Sequence, residues 1–188
     1  MHTKGHSSAG STAAAPASAH GPHSLEHLLQ EDAPPEQFSA GLAKIFRVRS
    51  TEVALLKLER GALKFIFPSE LATAGSVPLS SSSAVAARTA ITKKTEFFNG
   101  FAKVKHANIF ESVRLGKPED MERTEQAPIQ KLVSCPIIDH KNQVVGVVQI
   151  CRKGFDQPTS GPDFTPNDSQ RLEHCARILA RATFMKKD

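Results

Sequence analysis

The sequence predicts an α+β fold: a central, mainly antiparallel sheet of about six strands with helices packed on both faces. Three observations point there. Strand-like runs come in pairs joined by short turns, Glu52–Glu59 with Ala62–Pro68 and Ile129–Ile138 with Val144–Arg152. Amphipathic helical runs open and close the patterned part of the chain, and a third separates the two hairpins. Hairpin-dominated order of this kind gives an antiparallel sheet with helices laid on it.

Each element has a local reason. Residues Met1 to Pro22 are rich in Ser, Ala, Gly and Pro and bury too little apolar surface to offset ordering entropy, so 1–24 is expected as a disordered tail and 25–188 as one domain. "SLEHLL" reads as a short helix capped by Ser24. Pro35 suits a first helical position, and Phe38, Leu42, Ile45 and Phe46 fall on one face. Arg60-Gly61 turns the first hairpin. In "SSSSAVAARTAITKK" the Ser run supplies an N-cap and Lys93-Lys94 the C-terminal charge. "TEFF" (Thr95–Phe98) is a short central strand before the Asn99-Gly100 turn. A long polar segment, Phe101 to Gln126, follows with one short helix at "ANIFESV"; connections of that length are functional or mobile. The second hairpin turns at Asp139–Asn142. Thr165 caps the last helix, with Pro166 at its first position and Asp168 in its first turn. Leu172, Cys175, Ala176, Leu179 and Thr183 form its inner face, with Ile178, Ala182 and Met185 a second apolar strip.

Composition excludes several classes. The 188 residues carry a net charge of +5, no Trp, no Tyr and 11 Phe, most of them inside strand or helix patterns. A single-strand nucleic-acid binder wants exposed rings among cations, so no nucleic-acid partner is expected. No apolar run spans a bilayer and no signal-peptide pattern opens the chain, so a cytoplasmic protein without membrane contact is expected. The three cysteines show no CxxC or zinc spacing and sit in apolar patterns, as buried thiols in a reducing compartment do. No P-loop, HExxH or Ser-His-Asp order is present, and neither a cofactor nor a metal is expected.

From roughly Pro35 to Phe184 the chain resembles a GAF domain, the small sensory module related to PAS. The residues that carry the resemblance are the helix "SSAVAARTAITKK" leading into a short strand and the hairpin "PIIDHKNQVVGVVQICRKG", with Asn142-Gln143 where the family commonly has Gly. The stretch Arg152-Lys153, a loop, Phe164, three residues and Asp168-Ser169 resembles the regulatory GAF domains of cyclic-nucleotide phosphodiesterases at Lys153, Phe164 and Asp168. The resemblance implies a structural ion pair between Lys153 and Asp168. It also implies a ligand on the sheet face covered by the middle helix and the long loop, and dimers formed by the outer helices.

Several residues could serve an anionic ligand there. Ser81, Ser82 and Ser83 precede a helix whose first N–H groups lack intrahelical partners. One of Phe97 and Phe98 should face the pocket by strand alternation. Lys93, Lys94, Lys103, Lys105 and His106 make the most basic stretch, which raises the local concentration of an anion. His106, Asn108 and Phe110 offer an imidazole, an amide and a ring for a purine edge and face. Against these stand plain capping, a solvated basic surface and ordinary packing. The expected function is a non-catalytic small-molecule sensor for an anion such as a cyclic nucleotide. It signals through a homodimer of the terminal helices or to a partner in trans. The alternatives are a ligand-free interaction scaffold and an enzyme of the free methionine sulfoxide reductase type. The enzyme needs two thiols within reach, and hairpin pairing places Cys135 beside Val147, away from Cys151.

Overall fold

Arg60 and Gly61 both adopt positive φ, 49° and 80°, and this tight turn folds β1 (Val53–Glu59) back onto β2 (Ala62–Phe67). The computed structural model describes residues 23–73, 75–81, 83–101 and 127–186. The remaining strands are β3 (Ser76–Pro78), β4 (Glu96–Phe98), β5 (Ile129–Ile138) and β6 (Val144–Lys153). They form one six-stranded sheet in the order β3-β2-β1-β6-β5-β4, and every neighbouring pair is antiparallel. The expected α+β architecture is therefore the observed one.

Among the described residues four α-helices cover the sheet: α1 (His23–Gln30), α2 (Pro35–Phe46), α3 (Val85–Thr92) and α4 (Pro166–Leu179). One core unites α1, α2 and α4 with Val53, Leu55, Val133, Val148 and Ile150. The other unites α3 with Ala54, Leu56, Leu132, Val147 and Cys151. Alternate residues of the same strands thus feed opposite cores. β5 and β6 are buried almost throughout because helices cover both of their faces.

The structure departs from expectation at several points, each for a local reason. β3 has three residues and ends in Pro78, too short to show alternation, and it supplies the sixth strand. β4 is an edge strand, bonded only to β5 in the sheet, and not a central one. Ser24 lies inside α1, which begins at His23. α4 ends at Leu179, so Thr183 is exposed in a following 3-10 turn while Met185 is buried. The β5–β6 register sets Cys135 against Val148, one residue beyond the expected Val147. The helix expected at "ANIFESV" and the N-terminal tail lie outside the described residues. No helix of the described residues is long and apolar enough to cross a membrane.

Candidate functional site

The two sheet faces differ in chemistry. The face under α1, α2 and α4 is lined by apolar side chains over most of its area. The face under α3 carries a fully buried polar trio. Thr89 of α3, Ser134 of β5 and Gln149 of β6 are 0%, 0% and 2% exposed. Their hydroxyls meet at 2.8 Å, and the Gln149 amide donates to Ser134 Oγ at 3.1 Å. Ser134 and Gln149 are direct partners in the ladder, with Ala54 beside them on β1. Lys153, 8% exposed, lies across from Ile129 on this same face.

Aromatic groups close one end of the face. Phe98 packs edge-on to the buried Phe101, ring centroids 6.1 Å apart, and Arg88 stands 5.6 Å above the Phe98 ring. Arg88 is held there by Glu96, Nε to Oε2 2.9 Å. Phe97 points away and is exposed at 38%.

The serines are placed differently from expectation. Ala84 is the N-cap of α3 and no side chain caps the helix, because Ser81 closes a turn one step earlier by accepting from the Ala84 N–H. Ser83 follows Ser81 in this turn, ahead of the helix, and Ser82 lies outside the described residues. So do His106, Asn108 and Phe110. Lys93 ends α3 in the left-handed conformation and donates through Nζ to the Asn142 carbonyl at 2.7 Å.

The expected Lys153–Asp168 ion pair is replaced by another arrangement. Strand alternation sends Lys153 to the α3 face, whereas α4 lies on the other. Among the described residues no ion pair joins the two. Asp168 instead accepts from the Thr165 backbone N–H (2.9 Å) and hydroxyl (2.8 Å), while its own N–H donates to Thr165 Oγ1: a reciprocal cap. Arg152 is the residue that ties strand to helices. Its guanidinium lies 4.9 Å from the Phe164 ring centre and donates to the carbonyls of Phe46 and Arg47, at 3.1 and 3.4 Å, at the C-terminal end of α2. Burial pulls its pKa below the usual range, opposed by the charges of Glu52 and Asp168. Phe164 is in turn fixed by Asn99, whose amide donates to the Phe164 carbonyl at 2.9 Å and accepts its N–H at 2.8 Å.

Sequence reasoning missed Glu52, read only as a strand start. This carboxylate is 5% exposed and receives the Arg49 N–H, the Arg49 guanidinium and the Lys153 N–H at 2.9, 2.7 and 2.7 Å. A charged residue opening an apolar strand run was the available signal.

The three cysteines are buried and form no disulfide. Burial raises the thiols of Cys135 and Cys175 to about 12. Cys151 faces α3, on the opposite side of the sheet from Cys135. At pH 8 a thiol with that pKa is ionised in roughly one molecule in 10,000. Ellman's reagent at pH 8 is therefore expected to leave Cys135 and Cys175 unreacted in the native protein and to titrate all three thiols in guanidinium. Fast native labelling of either residue would contradict their burial.

No family model matches the sequence, and no curated protein matches it. Solved structures do match the fold. The GAF domain of an Acinetobacter phosphoenolpyruvate-protein phosphotransferase is 12% identical, covering 84% of this chain and 89% of its own, with a TM-score of 0.58. The nlh2 GAF domain of A. aeolicus, in an inactive state, is 14% identical over 88% of this chain and 94% of its own, TM-score 0.54. A type II free methionine-R-sulfoxide reductase of Thermoplasma acidophilum is 13% identical over 83% and 92%, TM-score 0.50. The strand order, the helices on both faces and these likenesses together give the chain the fold of a GAF domain.

Proposed function

We propose that this protein is a non-catalytic sensor or regulatory module that binds a small anionic ligand, of the nucleotide class, on the α3 face of its sheet. The observation that carries this reading is the buried Thr89–Ser134–Gln149 trio. A face that only had to pack would avoid three buried polar side chains, since each costs free energy unless paired. Held by one another, they keep a polar centre inside this face, which the other face lacks among the described residues. Lys153 on the same face supplies positive charge that favours an anion. A non-catalytic role is supported by the raised thiols and by the separation of Cys135 from Cys151 across the sheet. Signalling through paired terminal helices or to a partner in trans belongs to the same proposal.

A thermal-shift screen of cyclic nucleotides, nucleotides and metabolites tests it. A ligand at 100 times its Kd adds about 2.7 kcal/mol, which for a domain of this size raises Tm by roughly 5–10 °C. Gln149→Leu is expected to abolish that shift. A hit whose shift survives Gln149→Leu would place binding elsewhere, and methionine sulfoxide reduction lost on Cys→Ser substitution would replace the sensor reading with an enzyme. One observation favours a second reading: Phe101 and Phe98 fill an end of the α3 face, as in a ligand-free interaction scaffold. That scaffold would show no shift with any compound.

A further inference from the structure

A concave surface lies on the side of the sheet opposite the α3 face. A trough of about 650 Å3 runs between the β5–β6 turn and the C-terminal end of α4. Its apolar surface is small and comes from the part-exposed Ile138 and Ala180, with Val145 and Met185 buried beneath at 5% and 0% exposure. Its rim is basic: Arg177, Arg181, Lys186 and Lys141 line it against one carboxylate, Asp139. A smaller hollow of about 290 Å3, which includes Glu173, adjoins it through Ile138 and Arg177.

The charges at this rim are unbalanced. Among the described residues no carboxylate pairs with Arg177, Arg181 or Lys186. Asp139 is committed to the turn, where its Oδ1 accepts the N–H groups of Lys141 and Gln143, both at 2.9 Å. Those bonds hold its carboxyl below the usual range. Cations near a helix C-terminus have an ordinary role in balancing the helix dipole. That role requires neither apolar surface beside them nor a volume in the range of small-molecule sites, roughly 300–1,000 Å3.

We infer that this trough binds a small amphiphilic carboxylate, its head on Arg177 and Arg181 and its apolar body over Ile138, Ala180 and the aliphatic stems of the rim cations. Charge complementarity selects the head: a guanidinium meets a carboxylate through two parallel hydrogen bonds. The body is selected by the part-exposed Ile138 and Ala180 and the cation stems, which a bare anion would leave wet. A neutral amphiphile would leave Arg177, Arg181 and Lys186 without a paired carboxylate. This site is separate from the α3 face and does not depend on the sensor reading.

Calorimetric titration of the full chain with octanoate, octanol, acetate and inorganic phosphate tests the inference. Octanoate is expected to bind saturably, one per chain, with the other three at least about tenfold weaker. The double variant Arg177→Gln/Arg181→Gln removes two exposed cations and should keep the wild-type circular dichroism, with Tm lower by at most a few degrees from the lost helix-dipole balance, yet lose octanoate affinity by about tenfold or more. Failure of octanoate to saturate, equal binding of octanol, or unchanged affinity in the variant would each overturn the inference. A wild-type dimer that dissociates in the same variant on sedimentation would also overturn it, because a second copy would then be the occupant.

Discussion

Gly146→Ala is expected to destabilise the protein by about 3 kcal/mol or more, through overpacking that no side-chain rotation can relieve. A Cβ at this position would run into the backbone carbonyl oxygen of Leu56 and the Cε of Met185. Gly146 pairs with Lys57 of β1 and Ile137 of β5, at the centre of the sheet, next to the irregularity that separates Ile137 from Ile138. Met185 could shift; the Leu56 carbonyl could not without breaking the β1–β6 ladder. Gly61→Ala makes the control. Gly61 has φ +80° but nothing within 4 Å of a new Cβ, so only backbone strain opposes the change, about 1 kcal/mol. Urea melts of both variants give the comparison. Equal, small losses would mean that β6 does not approach β1 and Met185 as closely as described.

Glu52→Ala is the second large effect, expected at about 2–4 kcal/mol. The substitution leaves the buried Lys153 N–H and both Arg49 donors without their acceptor. These bonds anchor the end of β6 to the 3-10 turn that leads into β1. Glu52→Gln keeps one acceptor oxygen and should lose less. Glu59→Ala removes an exposed carboxylate that pairs with Lys64 and should move the urea midpoint little. A Glu52→Ala midpoint matching that of Glu59→Ala would show that the buried carboxylate is not an anchor.

Much of the fold was legible because periodicity and turn chemistry agree. Phe38, Leu42, Ile45 and Phe46 announced the buried face of α2, and Thr165, Pro166 and Asp168 announced the start of α4. The turn at Arg60-Gly61 set the first hairpin. What was hidden depends on which side of the sheet a residue faces. Arg152 and Lys153 are neighbours in sequence, yet alternation sends one to α2 and Phe164 and the other to the α3 face. The resemblance assigned the strand-to-helix tie to Lys153 and left Arg152 without a role.

The α3-face site was the least legible part. Ser134 and Gln149 sit in strands whose neighbours are nearly all apolar, so they read as incidental polar residues. They become a unit only when the β5–β6 register sets them side by side beneath Thr89. Conversely, the Ser run before α3 carried a strong local capping signal. The cap fell on Ala84 because the chain turns first at Pro78–Ser81. Local rules place helix ends well when nothing else constrains the entry, and here the short β3 strand does.

Amide chemical-shift mapping on isotope-labelled protein, with each stabilising compound from the nucleotide and metabolite set, tests the sensor reading most directly. The expected result is perturbation concentrated at Thr89, Ser134, Gln149 and Lys153 and weak along α4. Perturbation confined to the β5–β6 turn and α4, or none from any compound, would contradict it.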